Sequence, residues 1–226
     1  MYIKLVAKTE PRGLDNIKSS SDFISYAARV SNPDNQNNPK TAEGLLKYCL
    51  KHKHFSIFEM INIVYEIETT RDISRQILRH RSFSFQEFSQ RYSEPQALPI
   101  LREARTQDTE NRQNSIKTEA YDIIEAFKDA QNDVWNKAFE EYEYAISNGI
   151  AKEQARVLLP EGLTATRMYM NGSLRSWIHY IIVRCGIETQ KEHRDIAKAI
   201  ARGLIAEFPF LGYLDVLDDN YSAETE

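Results

Sequence analysis

Arg79-His80-Arg81-Ser82-Phe83-Ser84-Phe85-Gln86-Glu87-Phe88-Ser89-Gln90-Arg91-Tyr92 crowds cations and aromatic rings into one short segment. Arg75 lies one helical turn before it and Arg71 a turn before that, and only Asp72 and Glu87 offset this charge. The whole chain carries a formal net charge of −4. Local positive charge on a net acidic protein points to a specific anion site rather than to a surface that holds any polyanion. Arginine presents a planar fork of donors matched to phosphate and carboxylate oxygens. Just upstream, Ile61, Ile63, Tyr65 and Ile67 alternate with Asn62, Glu66 and Glu68, the pattern of a half-buried strand. Arg71 to Leu78 then reads as a short helix feeding an arginine-rich loop that extends through Pro95 and Pro99.

Working outward, Tyr2 to Ala7 alternates as a first strand, and Asp22 to Val30 and Thr41 to Lys51 have helical apolar spacing. Thr41 stands where a helix cap would, with Glu43 in the first turn. A long amphipathic helix is expected from Gln113 to Ser147, its apolar stripe being Ala120, Ile124, Phe127, Val134, Ala138 and Ala145, with Asn148-Gly149 as its stop. That stripe and Trp135 suit a core or a subunit interface. A short helix over Lys152 to Leu159 stops at Pro160. Thr164 to Met170 reads as a strand, and Ser173 to Arg184 and Thr189 to Phe208 read as helices.

The 226 residues fit a single domain over 1–217, followed by an acidic, flexible tail over 218–226. No apolar run approaches the roughly 20 residues that span a bilayer. The start, Met1-Tyr2-Ile3-Lys4-Leu5-Val6, turns polar too soon for a secretory signal. Cys49 and Cys185 make neither a metal spacing nor a disulfide framework, so no metal is expected and a reducing cytoplasm is the simplest compartment. None of the eight glycines forms a dinucleotide-binding GxGxxG or a P-loop.

The arginine-rich segment, written RHRxxSxxxxSxRY, resembles the signature of the flavin-dependent thymidylate synthases. Further blocks are similar in order: Ala27-Ala28-Arg29-Val30-Ser31, His54-Phe55-Ser56-Ile57-Phe58-Glu59, and Glu153-Gln154-Ala155-Arg156-Val157-Leu158-Leu159-Pro160. Arg175-Ser176, Arg184 and Gln190-Lys191-Glu192 complete the resemblance. It implies an α/β fold of α+β type, an antiparallel sheet with long flanking helices. It implies conversion of dUMP to dTMP with 5,10-methylenetetrahydrofolate as one-carbon donor and FADH2, regenerated by NADPH, as reductant. A homotetramer acting on small molecules, with no nucleic acid or membrane partner, is also implied.

By the same resemblance, Gln76, Arg79, Glu87, Phe88, Ser89, Gln90, Arg91, Arg156 and Arg184 match dUMP contacts. Ser56, Arg79, His80, Arg81, Glu87, Ser173, Leu174, Arg175 and His179 match FAD contacts. His54 matches a histidine stacking near the folate and flavin rings. Arg184 matches the catalytic arginine that polarises the uracil and favours its N3-deprotonated form. The chain departs from its relatives at Glu188, where histidine is frequent, and at Gln86, Ser173 and His179, where asparagine is common.

The residues give this reading independent sense. Arg91 and Arg156, with the backbone N–H groups near Ser89 and Gln90, suit a phosphate dianion. Cys49 reads as a core residue. Cys185 follows a cation that would lower its pKa, but it too reads as structural. Ser89 has no paired base, and a flavin hydride makes a protein nucleophile unnecessary. His179 is equally a core or a site residue, while His52 and His193 read as surface. Two rival classes remain. A single-stranded nucleic-acid module would interleave aromatics with arginines, as Phe83, Phe85, Phe88 and Tyr92 do here, but would be basic overall. A helical nucleotide hydrolase would need clustered carboxylates for Mg2+.

Overall fold

The computed structural model describes residues 2–223. In chain order the elements are β1 (Tyr2–Lys8), α1 (Ser20–Ala28), α2 (Pro33–Gln36), α3 (Ala42–Lys51), β2 (Asn62–Thr70) and α4 (Arg71–Ile77). There follow β3 (Ser84–Glu87), β4 (Arg105–Gln107), β5 (Ser115–Lys117) and α5 (Tyr121–Ser147). The chain continues through α6 (Lys152–Ala155), β6 (Ala165–Ser173), α7 (Leu174–Arg184) and α8 (Lys191–Glu207).

Alternation does what the sequence implies. In β2, Ile63, Tyr65 and Ile67 are buried, and in β6 Thr166, Met168 and Met170 are buried while Arg167 and Tyr169 face out. The strands form a sheet in the order β1-β2-β6-β3. Main-chain bonds Thr9 N–H to Asn62 O (2.9 Å), Leu174 N–H to Ile61 O (2.7 Å), Arg71 N–H to Thr164 O (3.0 Å) and Phe88 N–H to Arg167 O (2.8 Å) mark antiparallel neighbours. The expected class, an antiparallel sheet with long helices, is the observed one.

The chain divides into two compact units, each assembled from separated segments. The first comprises Ile67–Arg79 and Gln86–Met168 with Tyr2; the second comprises Ile3–Glu66, His80–Phe85 and the chain from Tyr169 onward.

In the first unit two expectations shift. The long helix begins at Tyr121, because Ser115–Lys117 pairs as β5 with β4 in a short antiparallel hairpin. The Asp108 carboxylate accepts from the N–H groups of Glu110 (2.8 Å) and Asn111 (3.1 Å) and from the Asn114 amide (2.9 Å), closing the turn that competes with helix there. The buried face of α5 is also rotated from the expected stripe. Gln131, Trp135 and Tyr142 are buried, whereas Phe127 and Val134 are 43% and 54% exposed. Gln131 exchanges two hydrogen bonds with the Arg102 backbone, at 2.7 and 3.1 Å, and Trp135 donates to Ala97 O at 3.0 Å. Long polar side chains with fixed partners thus take positions that an apolar count assigns to the surface.

In the second unit, α7 presents Leu174, Trp177, Ile178 and Ile181, and α8 presents Ile196, Ala197, Ile200, Ala201 and Leu204, all fully buried. Ser173 caps α7 by accepting from Ser176 N–H at 3.3 Å. The cap expected of Thr41 is absent; its hydroxyl accepts from Arg29 Nη2 at 2.7 Å instead. Tyr65 packs edge-on to Trp177 at 5.1 Å, and its buried hydroxyl has no hydrogen-bond partner. The tail residues are tied as far as Ala223: Ile187 N–H donates to Tyr221 O (3.0 Å), Tyr221 Oη to Ile182 O (3.1 Å) and Lys198 Nζ to Asp218 O (3.0 Å). Glu224–Glu226 of the expected flexible tail lie outside the described residues.

Candidate active site

In the first unit the end of the arginine-rich segment folds into a turn. Ser89 O accepts from Tyr92 and Ser93 N–H groups, both at 3.1 Å, and Ser89 Oγ accepts from Arg91 N–H at 3.4 Å. Gln90 is buried, and its Nε2 is a donor without a partner. A buried donor left unpaired costs free energy that a ligand acceptor would recover. Arg91 and Arg156 converge on Glu153: Arg91 Nε pairs with its carboxylate at 3.3 Å, and Arg156 Nε donates to its backbone oxygen at 3.2 Å. Both partners of the Arg91–Glu153 pair are about half exposed, so it holds Arg91 weakly.

Glu87, at the end of β3, is held by residues the sequence reading did not single out for that task. Its Oε1 accepts from Ser74 Oγ at 2.7 Å and Thr166 Oγ1 at 2.9 Å and lies 3.9 Å from Arg71 Nη1. All three partners are buried. Oε2 takes no part in these contacts. Arg71 therefore serves a half-buried carboxylate, and Arg75 pairs with Glu161 at 3.2 Å, so neither is the open anion ligand that its charge alone implies. The signal for Arg71 and Ser74 was their i, i+3 spacing on one face of α4. In the same unit Gln76 is half-buried and Arg79 exposed.

The second unit holds the residues matched to flavin. Ser56, His54, Arg81, Arg175 and His179 are exposed, whereas Leu174 is fully buried. His179 is thus a surface residue, its ring edge-on to Phe55 at 5.2 Å. Arg175 pairs with Glu59 at 2.8 Å, and hydrogen bonds from Ser173 first and Arg175 second hold the Glu59 carboxyl below its usual range. Tyr48, His52 and His54 form an exposed group of rings with centroids 4.2 to 6.1 Å apart. Arg184, matched to dUMP, belongs to this unit, and its Nε donates to His80 Nε2 at 2.9 Å.

Neither thiol is poised for attack. Cys49 is buried and its pKa is raised by that burial. Burial pushes the Cys185 thiol up to about 12, against the smaller pull of Lys198 and Arg202. His193, expected at the surface, is fully buried, and its Nε2 meets Tyr180 Oη at 3.1 Å. The apolar face of α8 continues back from Ile196, Ala197 and Ile200 to position 193, the periodicity that places this histidine inside.

Burial first, then the Arg184 charge and the repulsion that a proton on His80 would add, push the His193 pKa down to about 3. Its folded pKa lies below the ordinary value of about 6.5, so the unfolded chain binds more protons between these limits. The stability this residue contributes is complete above about pH 6.5 and is lost as pH falls toward 3. The urea midpoint should drop between about pH 7 and 5, and His193→Phe should flatten that slope; an equal slope in the variant would refute the assignment.

These features can be set beside known proteins. Residues 14–210 match the family model described as thymidylate synthase complementing protein. The chain is 48% identical over 209 residues to a probable flavin-dependent thymidylate synthase of Paramecium bursaria Chlorella virus 1, covering 92% of this chain and 96% of the relative. It is 48% identical over 211 residues to a flavin-dependent thymidylate synthase of Synechocystis sp., with the same coverage. The fold superposes with a TM-score of 0.82 on a UMP/dUMP methylase, PolB, of Streptomyces cacaoi bound with 5-Br dUMP, at 23% identity over 98% of this chain and 96% of that one. No helix among the described residues is long and apolar enough to cross a membrane. From the arginine-rich turn to the matched relatives, the findings agree: the chain belongs to the flavin-dependent thymidylate synthase family.

Proposed function

We propose that this chain makes dTMP by reductive methylation of dUMP, using 5,10-methylenetetrahydrofolate as carbon donor and FADH2, regenerated by NADPH, as reductant. The observation that carries the reading is the group formed by Arg91 and Arg156 around Glu153, in the same turn as the unpartnered Gln90 amide. A dianionic phosphate outcompetes the half-exposed Glu153 carboxylate for Arg91, while Arg156, bonded through Nε to the Glu153 backbone oxygen, gives up no ion pair to join it. The Ser89–Arg91 turn offers further N–H donors, and Gln90 Nε2 gains the acceptor it lacks. Glu87, fixed through Oε1, presents Oε2 to an N–H or O–H of the nucleotide. Gln76, Arg79 and Phe88 complete the nucleotide set. Arg184 polarises the uracil carbonyl; a fixed cation within about 4–6 Å lowers a neighbouring pKa by roughly 1–3 units, which favours the N3 anion.

The second unit's donor set fits FAD. Arg81 is an exposed cation for the pyrophosphate, and the rings of His54, His179 and His80 offer flat surfaces for planar groups. Ser56, Ser173 and Arg175 complete that set, whereas Leu174, fully buried with its N–H given to Ile61 O, lies behind it. Bound in reduced form, the cofactor supplies the hydride, so the buried thiols of Cys49 and Cys185 and the hydroxyl of Ser89 need no nucleophilic role.

The apolar side chains of Phe127, Val134, Val157 and Leu158, 43 to 83% exposed, support burial of this surface in a homotetramer. Net negative charge supports small-molecule substrates over nucleic acid or an anionic membrane surface, and two free cysteines suit a reducing cytoplasm.

Adding FAD to the purified protein should give a bound flavin spectrum that shifts on titration with dUMP. A protein that neither retains FAD nor responds to dUMP would refute the function. Arg91→Ala should weaken dUMP binding by about 1.5–3 kcal/mol, the worth of a charged hydrogen-bond set. Equilibrium dialysis with dUMP measures it, and a wild-type Kd would remove Arg91 from the phosphate site.

A further inference from the structure

Behind Arg184 lies a chain of rings of which the proposed chemistry uses only the first, His80. Arg184 is always a donor, so its 2.9 Å bond to His80 Nε2 requires a lone pair there. His80 is therefore neutral, with its proton on Nδ1. The ring is steered by aromatic neighbours: Tyr180 meets it edge-on at 5.0 Å and 73°, and Phe83 at 6.4 Å and 90°. Tyr180 is itself fully buried, and its hydroxyl is engaged by His193 Nε2 at 3.1 Å. The rings of His193 and His80 lie 6.2 Å apart. A histidine on the apolar face of α8 costs stability that leucine or isoleucine there would not. Its hydrogen bond restricts rotation of the Tyr180 hydroxyl and, with it, the ring against which His80 rests.

We propose that His193 is a positioning residue for Arg184, acting through Tyr180 and His80. This rests on the reading of Arg184 as the residue that polarises the substrate. Burial keeps His193 uncharged, so it orients the arginine without adding a second cation beside it. The bond to His80 uses Nε alone, and Nη1 and Nη2 take no part in it.

The test reads two quantities. Long-range 15N NMR of the ligand-free protein reports the His80 tautomer, and steady-state kinetics report kcat and the KM for dUMP. His193→Phe should abolish the Nδ1–H signature of His80 and lower kcat about tenfold, the worth of one net hydrogen bond, with KM for dUMP within about threefold of wild type. Tyr180→Phe, which deletes only the hydroxyl and keeps the ring, should do the same. The double variant should be no worse than either single one, because both remove one interaction. His193→Gln, which can still bond Tyr180, should restore the His80 signature in part. A His80 signature and kcat unchanged in Tyr180→Phe would overturn the proposal. A wild-type protein that makes no dTMP, yet whose His80 tautomer is lost in both variants, would sink the functional reading and leave the positioning intact.

Discussion

Arg184→Ala should lower kcat by about 10²–10³, the usual loss when one preorganised electrostatic donor is removed from an active site. On the proposed assignment the KM for dUMP should change little, because Arg184 would act on the uracil as it gains negative charge, whereas Arg91 and Arg156 would hold the phosphate. The substitution also strips His80 Nε2 of its donor, so the ring loses its reason to remain in the Nδ1–H form. Arg184→Lys should recover only part of the rate: it restores charge without the planar fork. Steady-state kinetics with saturating folate and reductant decide the matter. A variant with wild-type kcat would remove Arg184 from the chemistry.

Gly172→Ala should lower the stability of the second unit by overpacking its core. A Cβ at this position of β6 would stand 2.5 Å from Phe83 Cδ1 and 2.6 Å from Cε1. Phe83 cannot swing away cheaply: it is 9% exposed and wedged against Trp177 at 4.7 Å and Tyr180 at 6.0 Å. Overpacking of this kind costs about 1–3 kcal/mol, and each kcal/mol lowers the Tm of a chain this size by roughly 2–4 °C. Phe83→Leu alongside it should recover part of the loss by vacating the ring's edge. Calorimetry of the wild type and the two variants tests the account, and a Gly172→Ala Tm equal to wild type would show that the ring yields freely.

Both predictions bear on what was legible in the chain. Strong periodicity was readable: β2, β6, α7 and α8 stand within a few residues of where alternation and helical spacing put them. The short strands β3, β4 and β5 were not, because three or four residues carry too little alternation to compete with a loop reading. The start of α5 was misplaced because the Asp108 turn overrides local spacing. Arg91, Arg156 and Arg184, like Glu153 and His80, stand in motifs, but who meets whom is not written there. The Arg91–Glu153 and Arg184–His80 pairings and the Arg71–Ser74–Thr166 cradle of Glu87 join residues separated in sequence. His193 was misread by residue type, although the face of α8 on which it lies is plain from Ile196, Ile200 and Leu204.

The second unit draws its parts from Ile3–Glu66 and from the chain beyond Tyr169, with the first unit's long segment between them. During synthesis the N-terminal third therefore emerges without the α7 and α8 residues that meet Ile63 and Tyr65, among them Trp177. Closing so long a loop slows folding far more than it weakens the finished protein. The nascent chain thus exposes a hydrophobic strand until the last helices leave the ribosome, which makes β2 the segment on which a chaperone would act.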